Sequence, residues 1–167
     1  MTEHLSRVID APDPLLLTLE GVSCTGEDLV ALEGRTAPSI AVVRGACSGA
    51  ALAAAVSVDL LVCAPGATFG SPGAWSPWVM RRGEGIMGRR AVGYLVMTGR
   101  RISADTAHEW GLVSYISPEP EAFASVLVER LASQSKVAVK TIMAQAHRGA
   151  VLHYMEVLAT NGFPEEL

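Results

Sequence analysis

The chain has 167 residues and a formal net charge of −4; half of it is hydrophobic and only 18% is charged. A chain of this size buries roughly 70% of the surface it would expose unfolded, so one compact domain can form without disulfides or metal as staples. The slight acid excess lacks the clustered basic face that a phosphate backbone requires, which excludes nucleic acid as the expected partner.

Cys24, Cys47 and Cys63 are odd in number and have no short paired spacing, and the histidines stand apart from them. Neither a disulfide frame nor a metal site is expected, and the thiols read as reduced. Met1 to Pro14 holds His4, Arg7 and Asp10 and no long apolar run, so it does not read as a signal peptide. Ala46 to Ala64 approaches membrane-spanning length, but Asp59 interrupts it, and its glycines and alanines suit a strand, a turn and a helix. A cytoplasmic protein without membrane association is predicted.

In chain order, Leu15 to Leu19 and Ser39 to Val43 read as buried strands, the first ending at Gly21 and the second lying between Pro38 and Gly45. Leu29 to Leu32 reads as a short helix that Asp28 begins by accepting from free backbone N–H groups. Gly49 opens an alanine-rich helix, Ala50 to Val56. Asp59 to Cys63 and Ala67 to Gly70 read as further strands around Pro65 and Gly66. Gly73 to Gly88 is predicted to be irregular. Arg89 to Met97 is a helix stopped at Thr98-Gly99, Ser103 caps another through Trp110, and Leu112 to Ile116 is a strand. Pro118 and Pro120 mark a hinge, after which Glu121 to Ser133, Lys136 to His147 and Ala150 to Ala159 have amphipathic helical spacing. The implied division is an α/β core over 1–118 and a helical segment over 119–167, together one domain.

Two turns invite chemistry. Cys24-Thr25-Gly26-Glu27-Asp28-Leu29 follows the first strand, and Gly45 to Ala51 follows the next. Each sets a glycine beside a backbone N–H, and two such N–H groups aimed at one oxygen form an oxyanion hole able to hold charge developing on a thioester carbonyl. The helix starting near Ala50 adds the positive end of its dipole there.

Three stretches carry a family resemblance: Pro38 to Gly45 continued through Gly49 to Asp59, Ala67-Thr68-Phe69-Gly70-Ser71-Pro72, and Thr98-Gly99-Arg100-Arg101-Ile102-Ser103-Ala104 followed by Ala107 to Val113. Over about Leu15 to Pro118 the chain resembles the crotonase, or enoyl-CoA hydratase/isomerase, superfamily. The resemblance implies an α/β fold with the family's ββα core, shortened at its N-terminus, and C-terminal helices that commonly mediate trimers or hexamers. It places the first oxyanion donor on the N–H of Glu27 and the second on that of Ala50, where relatives carry glycine. It implies an acyl thioester as substrate, on coenzyme A or on the phosphopantetheine of a carrier protein, with no separate cofactor.

The chain departs from the family where proton transfer is done. The glutamate pair of the hydratases falls on Ala53 and Gly73, and neither can carry a proton. The expected reaction is therefore decarboxylation, double-bond migration, dehydration or cyclisation through an enolate, in secondary metabolism; the rival reading is a catalytically silent partner subunit or scaffold. Glu27 has two readings: its carboxylate enters the pocket and transfers protons, or it faces solvent. Cys24, Gly26, Cys47, Gly49, Gly73, Trp75, Trp78 and Met80 are predicted to line the pocket, the tryptophans either stacking on a bulky acyl group or filling space left by missing strands. Arg81, Arg82, Arg89 and Arg90 read as a solvated basic face or as partners for a carboxylate or phosphate. Asp59 reads as a structural acceptor and His108 as a surface residue, while His147 and His153 have no ligand spacing.

Overall fold

Strands β1 (Leu15–Thr18), β2 (Ser39–Val43), β4 (Leu60–Cys63) and β7 (Tyr115–Ile116) pair in parallel in the order β1-β2-β4-β7. This is a computed structural model, and it describes residues 13–71 and 75–144. The helices that cover both faces of the sheet explain why its strands read as unbroken apolar runs. On β2 and β4 the side chains alternate: Ala41, Val43, Leu61 and Cys63 enter the larger core, while Ile40, Val42 and Val62 face the other way. Helix α6 (Pro120–Ala132) covers that second face through Ala124, Phe123 and Leu127. Its start is tied to the sheet by an ion pair between Arg44 and Glu121. The 119–167 segment thus begins by completing the core, and Pro120 opens α6 at a position where a missing N–H costs nothing.

A second, three-stranded sheet is built from very short pieces, β3 (Ala46–Cys47), β5 (Thr68–Phe69) and β6 (Ile102–Ser103). β3 runs parallel to β5, and β6 runs antiparallel to it. The loop between β2 and α2 (Ala50–Ala55) is thereby partly strand rather than simple turn. Asp59 acts as expected: its Oδ2 accepts from the Ser39 N–H at 2.8 Å and the Ser39 hydroxyl at 2.6 Å, joining the starts of β2 and β4.

Helix α1 (Gly26–Glu33) starts three residues before the predicted Leu29, because Thr25 rather than Asp28 is its cap. The larger correction concerns Gly73 to Gly88. Instead of an irregular loop, most of it is α3 (Pro77–Met87), capped by the Ser76 hydroxyl on the Val79 N–H at 3.3 Å. Ser at the cap followed by Pro at the first helical position is a strong start signal, and it outweighs the two interior glycines. Gly83 is there for contact: a Cβ at this site would lie 3.0 Å from Val92 Cγ2 on α4 (Arg89–Thr98), so its absence lets the two helices approach. α5 (Ala104–Glu109) is capped by Ser103 as the sequence implies. The predicted strand Leu112 to Ile116 shortens to β7. Residues 136–144 are helical, in line with the helix expected from Lys136; the remainder of that helix and the one expected over Ala150 to Ala159 lie outside the described residues.

Candidate active site

The segments leaving β1 and β2 each end in a helix N-terminus, where the first N–H groups have no partner within the helix. In α1 a capping box is complete. The Asp28 N–H donates to Thr25 Oγ1 at 3.2 Å, and Asp28 Oδ2 accepts from the Thr25 N–H at 2.8 Å and hydroxyl at 2.9 Å. These bonds consume the side chains of Thr25 and Asp28 and leave the Glu27 N–H outside the capping box. α2 differs: no side chain caps it, and Gly49, at φ 55° and ψ −126°, supplies the bend that starts it. The Ala50 N–H is the first amide of that helix.

A cavity of about 380 Å3 lies between these two turns and α3. Cys24, Thr25 and Gly26 line it from the first turn, Gly49 and Ala50 from the second, and Trp75, Trp78 and Val79 from α3 and its approach. The Cys24 thiol donates to the Ala50 carbonyl at 3.4 Å and so binds one turn to the other. Burial, with the Asp28 carboxylate second, holds this thiol above its ordinary pKa of 9.0. It is a neutral wall of the cavity rather than a nucleophile.

Of the residues singled out from the sequence, Cys24, Gly26, Gly49, Ala50, Trp75 and Trp78 come together around this cavity. Gly73 lies outside the described residues. Three others are placed elsewhere. Cys47 is 1% exposed on β3, where burial pushes its thiol up to about 12, and its side chain belongs to the core. Met80 lies two residues beyond Trp78 on α3, which turns it to a different side of the helix, where it packs against the core. Glu27 is exposed and is not among the lining residues, so its carboxylate stands outside the cavity. Ala53, on which the family resemblance would set a hydratase glutamate, lines the cavity with a methyl group. His108 is exposed, with Nδ1 2.8 Å from the Val113 carbonyl. Among the described residues no cluster of side chains suits a metal ion, and no helix is long and apolar enough to cross a membrane.

No spacing or motif in the sequence announces the ion pair between Glu33 and Arg82. Glu33 lies one turn along α1 from Leu29 and Val30, and Arg82 one turn along α3 from Trp78 and Val79, all four of which line the cavity. The pair therefore braces the two helical walls against each other. Burial raises the Glu33 carboxyl to about 7, with the nearby Asp59 adding to the rise and Arg82 opposing it. Of the expected basic face, Arg89 and Arg90 are exposed, whereas Arg82 has this internal partner.

A family model described as Enoyl-CoA hydratase/isomerase matches residues 22–162, and the chain belongs to that family. It is similar to a carnitinyl-CoA dehydratase of Salmonella typhi, 32% identical over 113 residues that make up 63% of this chain and 43% of the relative. The match thus spans less than half the length of that relative. Among solved structures, an enoyl-CoA hydratase/isomerase family protein from Silicibacter pomeroyi superposes with a TM-score of 0.78 at 21% identity, covering 95% of this chain and 81% of its own. A probable enoyl-CoA hydratase from Mycobacterium smegmatis gives 0.79 at 17% identity over 93% and 76%. ThnE from S. clavuligerus gives 0.73 at 18% identity over 78% and 66%. These likenesses establish the fold.

Proposed function

We propose that this chain binds an acyl thioester and stabilises an enolate of its acyl group with the N–H groups of Glu27 and Ala50. Two helix N-termini border one cavity, and that observation carries the reading. Each contributes first-turn amides, and their partial positive charge suits an oxygen that gains negative charge. Coenzyme A or phosphopantetheine enters as part of the substrate, and no other cofactor is invoked. Ala53 in place of the hydratase glutamate favours a reaction with little proton machinery: double-bond migration, dehydration, decarboxylation or cyclisation. The similarity to a carnitinyl-CoA dehydratase supports dehydration among these. A place in secondary metabolism and a cytoplasmic location belong to the same reading. Val126, Val137 and Ile142 are exposed apolar residues on the C-terminal helices, and we assign them to a homotrimer or hexamer contact.

The rival, a silent scaffold with its pocket plugged by Trp75 and Trp78, is less well supported because the two rings border an open cavity instead of filling it. A thermal-shift panel of acyl-CoA and acyl-carrier thioesters separates the readings. A thioester at 100 times its dissociation constant stabilises the fold by about 2.7 kcal/mol. Ala50→Pro is the matching control, since proline fits the first helical position and replaces the N–H with a ring methylene. It should weaken that stabilisation while the unliganded melting temperature stays close to wild type. No shift with any thioester would favour the scaffold.

A further inference from the structure

We propose that the cavity selects an uncharged acyl group bearing a flat ring, held against Trp75 and Trp78. This rests on the thioester reading above and adds the substrate class. No described residue that lines the cavity carries a charge at neutral pH. An acyl carboxylate or ammonium group would lose its hydration there without a charged partner in exchange. The Asp28 carboxylate beside the first turn is engaged by the Thr25 N–H and hydroxyl, and Glu33 and Arg82 pair with each other one turn away.

Shape points the same way. Trp75 is 7% exposed. Trp78, half-buried, has its indole N–H 3.5 Å from the Ser57 hydroxyl, which in turn donates to the Ala53 carbonyl at 2.9 Å. One side of the cavity therefore consists of aromatic surface anchored to α2. Leu29, Leu52 and Ala53 add aliphatic surface to the same lining. About 380 Å3 sits near the low end of small-molecule sites, roughly 300–1,000 Å3, which suits an acyl group with its thioester but not the nucleotide end of the carrier. Rigid aromatic walls favour a ring over a flexible chain, because an offset or edge-to-face contact adds to simple area burial.

The test is calorimetric titration with benzoyl-CoA, butyryl-CoA, succinyl-CoA and the CoA thioester of a trimethylammonio acid. Benzoyl-CoA should bind about tenfold more tightly than each of the other three. Trp78→Leu, which removes the ring but keeps apolar bulk, should bring benzoyl-CoA down to the level of butyryl-CoA, whereas Trp75→Phe should keep the preference. Equal or tighter binding of the succinyl or trimethylammonio thioester would overturn the proposal and leave the thioester reading standing, as would a benzoyl preference that survives Trp78→Leu. Failure of all four to bind would instead remove the thioester reading on which the proposal depends. Should Trp78→Leu not fold, the order of the four wild-type affinities decides alone.

Discussion

The two turns that border the cavity reach the same end by different means. The first is held by side chains: Thr25 and Asp28 satisfy each other and the start of α1. The second has no side-chain cap: Gly49 takes a conformation that L residues avoid, and the side chain bonded to it, the Cys24 thiol, reaches the Ala50 carbonyl and leaves the N–H groups alone. A capped turn is rigid but spends its donors on itself; an uncapped one keeps its donors for a ligand. The contrast makes Ala50 the more demanding half of the site and Glu27 the more tolerant.

The largest expected effect follows from breaking the second turn. Gly49→Ala places a Cβ where nothing lies within 4 Å, so the cost is conformational rather than steric. It should amount to about 1–3 kcal/mol by denaturant unfolding, with thioester binding lost as the Ala50 N–H is re-aimed. Breaking the first turn should cost less. Asp28→Ala removes one half of the capping box and should destabilise by about 1–2 kcal/mol in the same measurement while leaving detectable binding. If Asp28→Ala abolished binding and Gly49→Ala did not, the contrast would be reversed.

A smaller effect concerns the brace between the walls. The folded-state value of Glu33, about 7, lies above its ordinary 4.5. Between these values the folded chain keeps a proton that the unfolded chain has released, so stability from this group is full below about pH 4.5. It falls as pH rises to about 7 and is flat above. With solvent screening taken into account, the change should be about 1 kcal/mol. Melting temperatures recorded from pH 4.5 to 8 should fall less steeply for Glu33→Gln than for wild type; parallel profiles would contradict the assignment. Smallest of all, Glu27→Gln alters an exposed carboxylate outside the cavity and should change stability by no more than about 0.5 kcal/mol, with thioester affinity intact. Lost affinity in that variant would restore the carboxylate to the site.

What was legible in the sequence follows from the range of the interactions involved. β2 could be read to the residue because a strand covered on both faces is a continuous apolar run between breakers, Pro38 and Gly45. The two site turns were visible because each joins such a run to a helix through glycine. β3 and β6 are too short to show a period. α3 was missed because Gly83, Gly85, Arg81 and Arg82 dilute its apolar pattern, although Ser76-Pro77 announced its start. The placement of Met80 in the pocket failed with it, since a loop would have allowed neighbours of Trp78 to point together, and a helix does not. The Glu33–Arg82 pair joins residues distant in sequence, and only the packing of α1 beside α3 brings them into contact.

The central claim concerns polarisation of a carbonyl by main-chain amides, and 13C NMR of a thioester labelled at its carbonyl carbon observes it directly. Bound to the wild-type protein, the labelled carbon should move downfield of its position in free solution, and Ala50→Pro should remove most of that displacement in molecules that still bind. A bound thioester whose carbonyl resonance is unmoved, or moves equally in wild type and Ala50→Pro, would contradict the account.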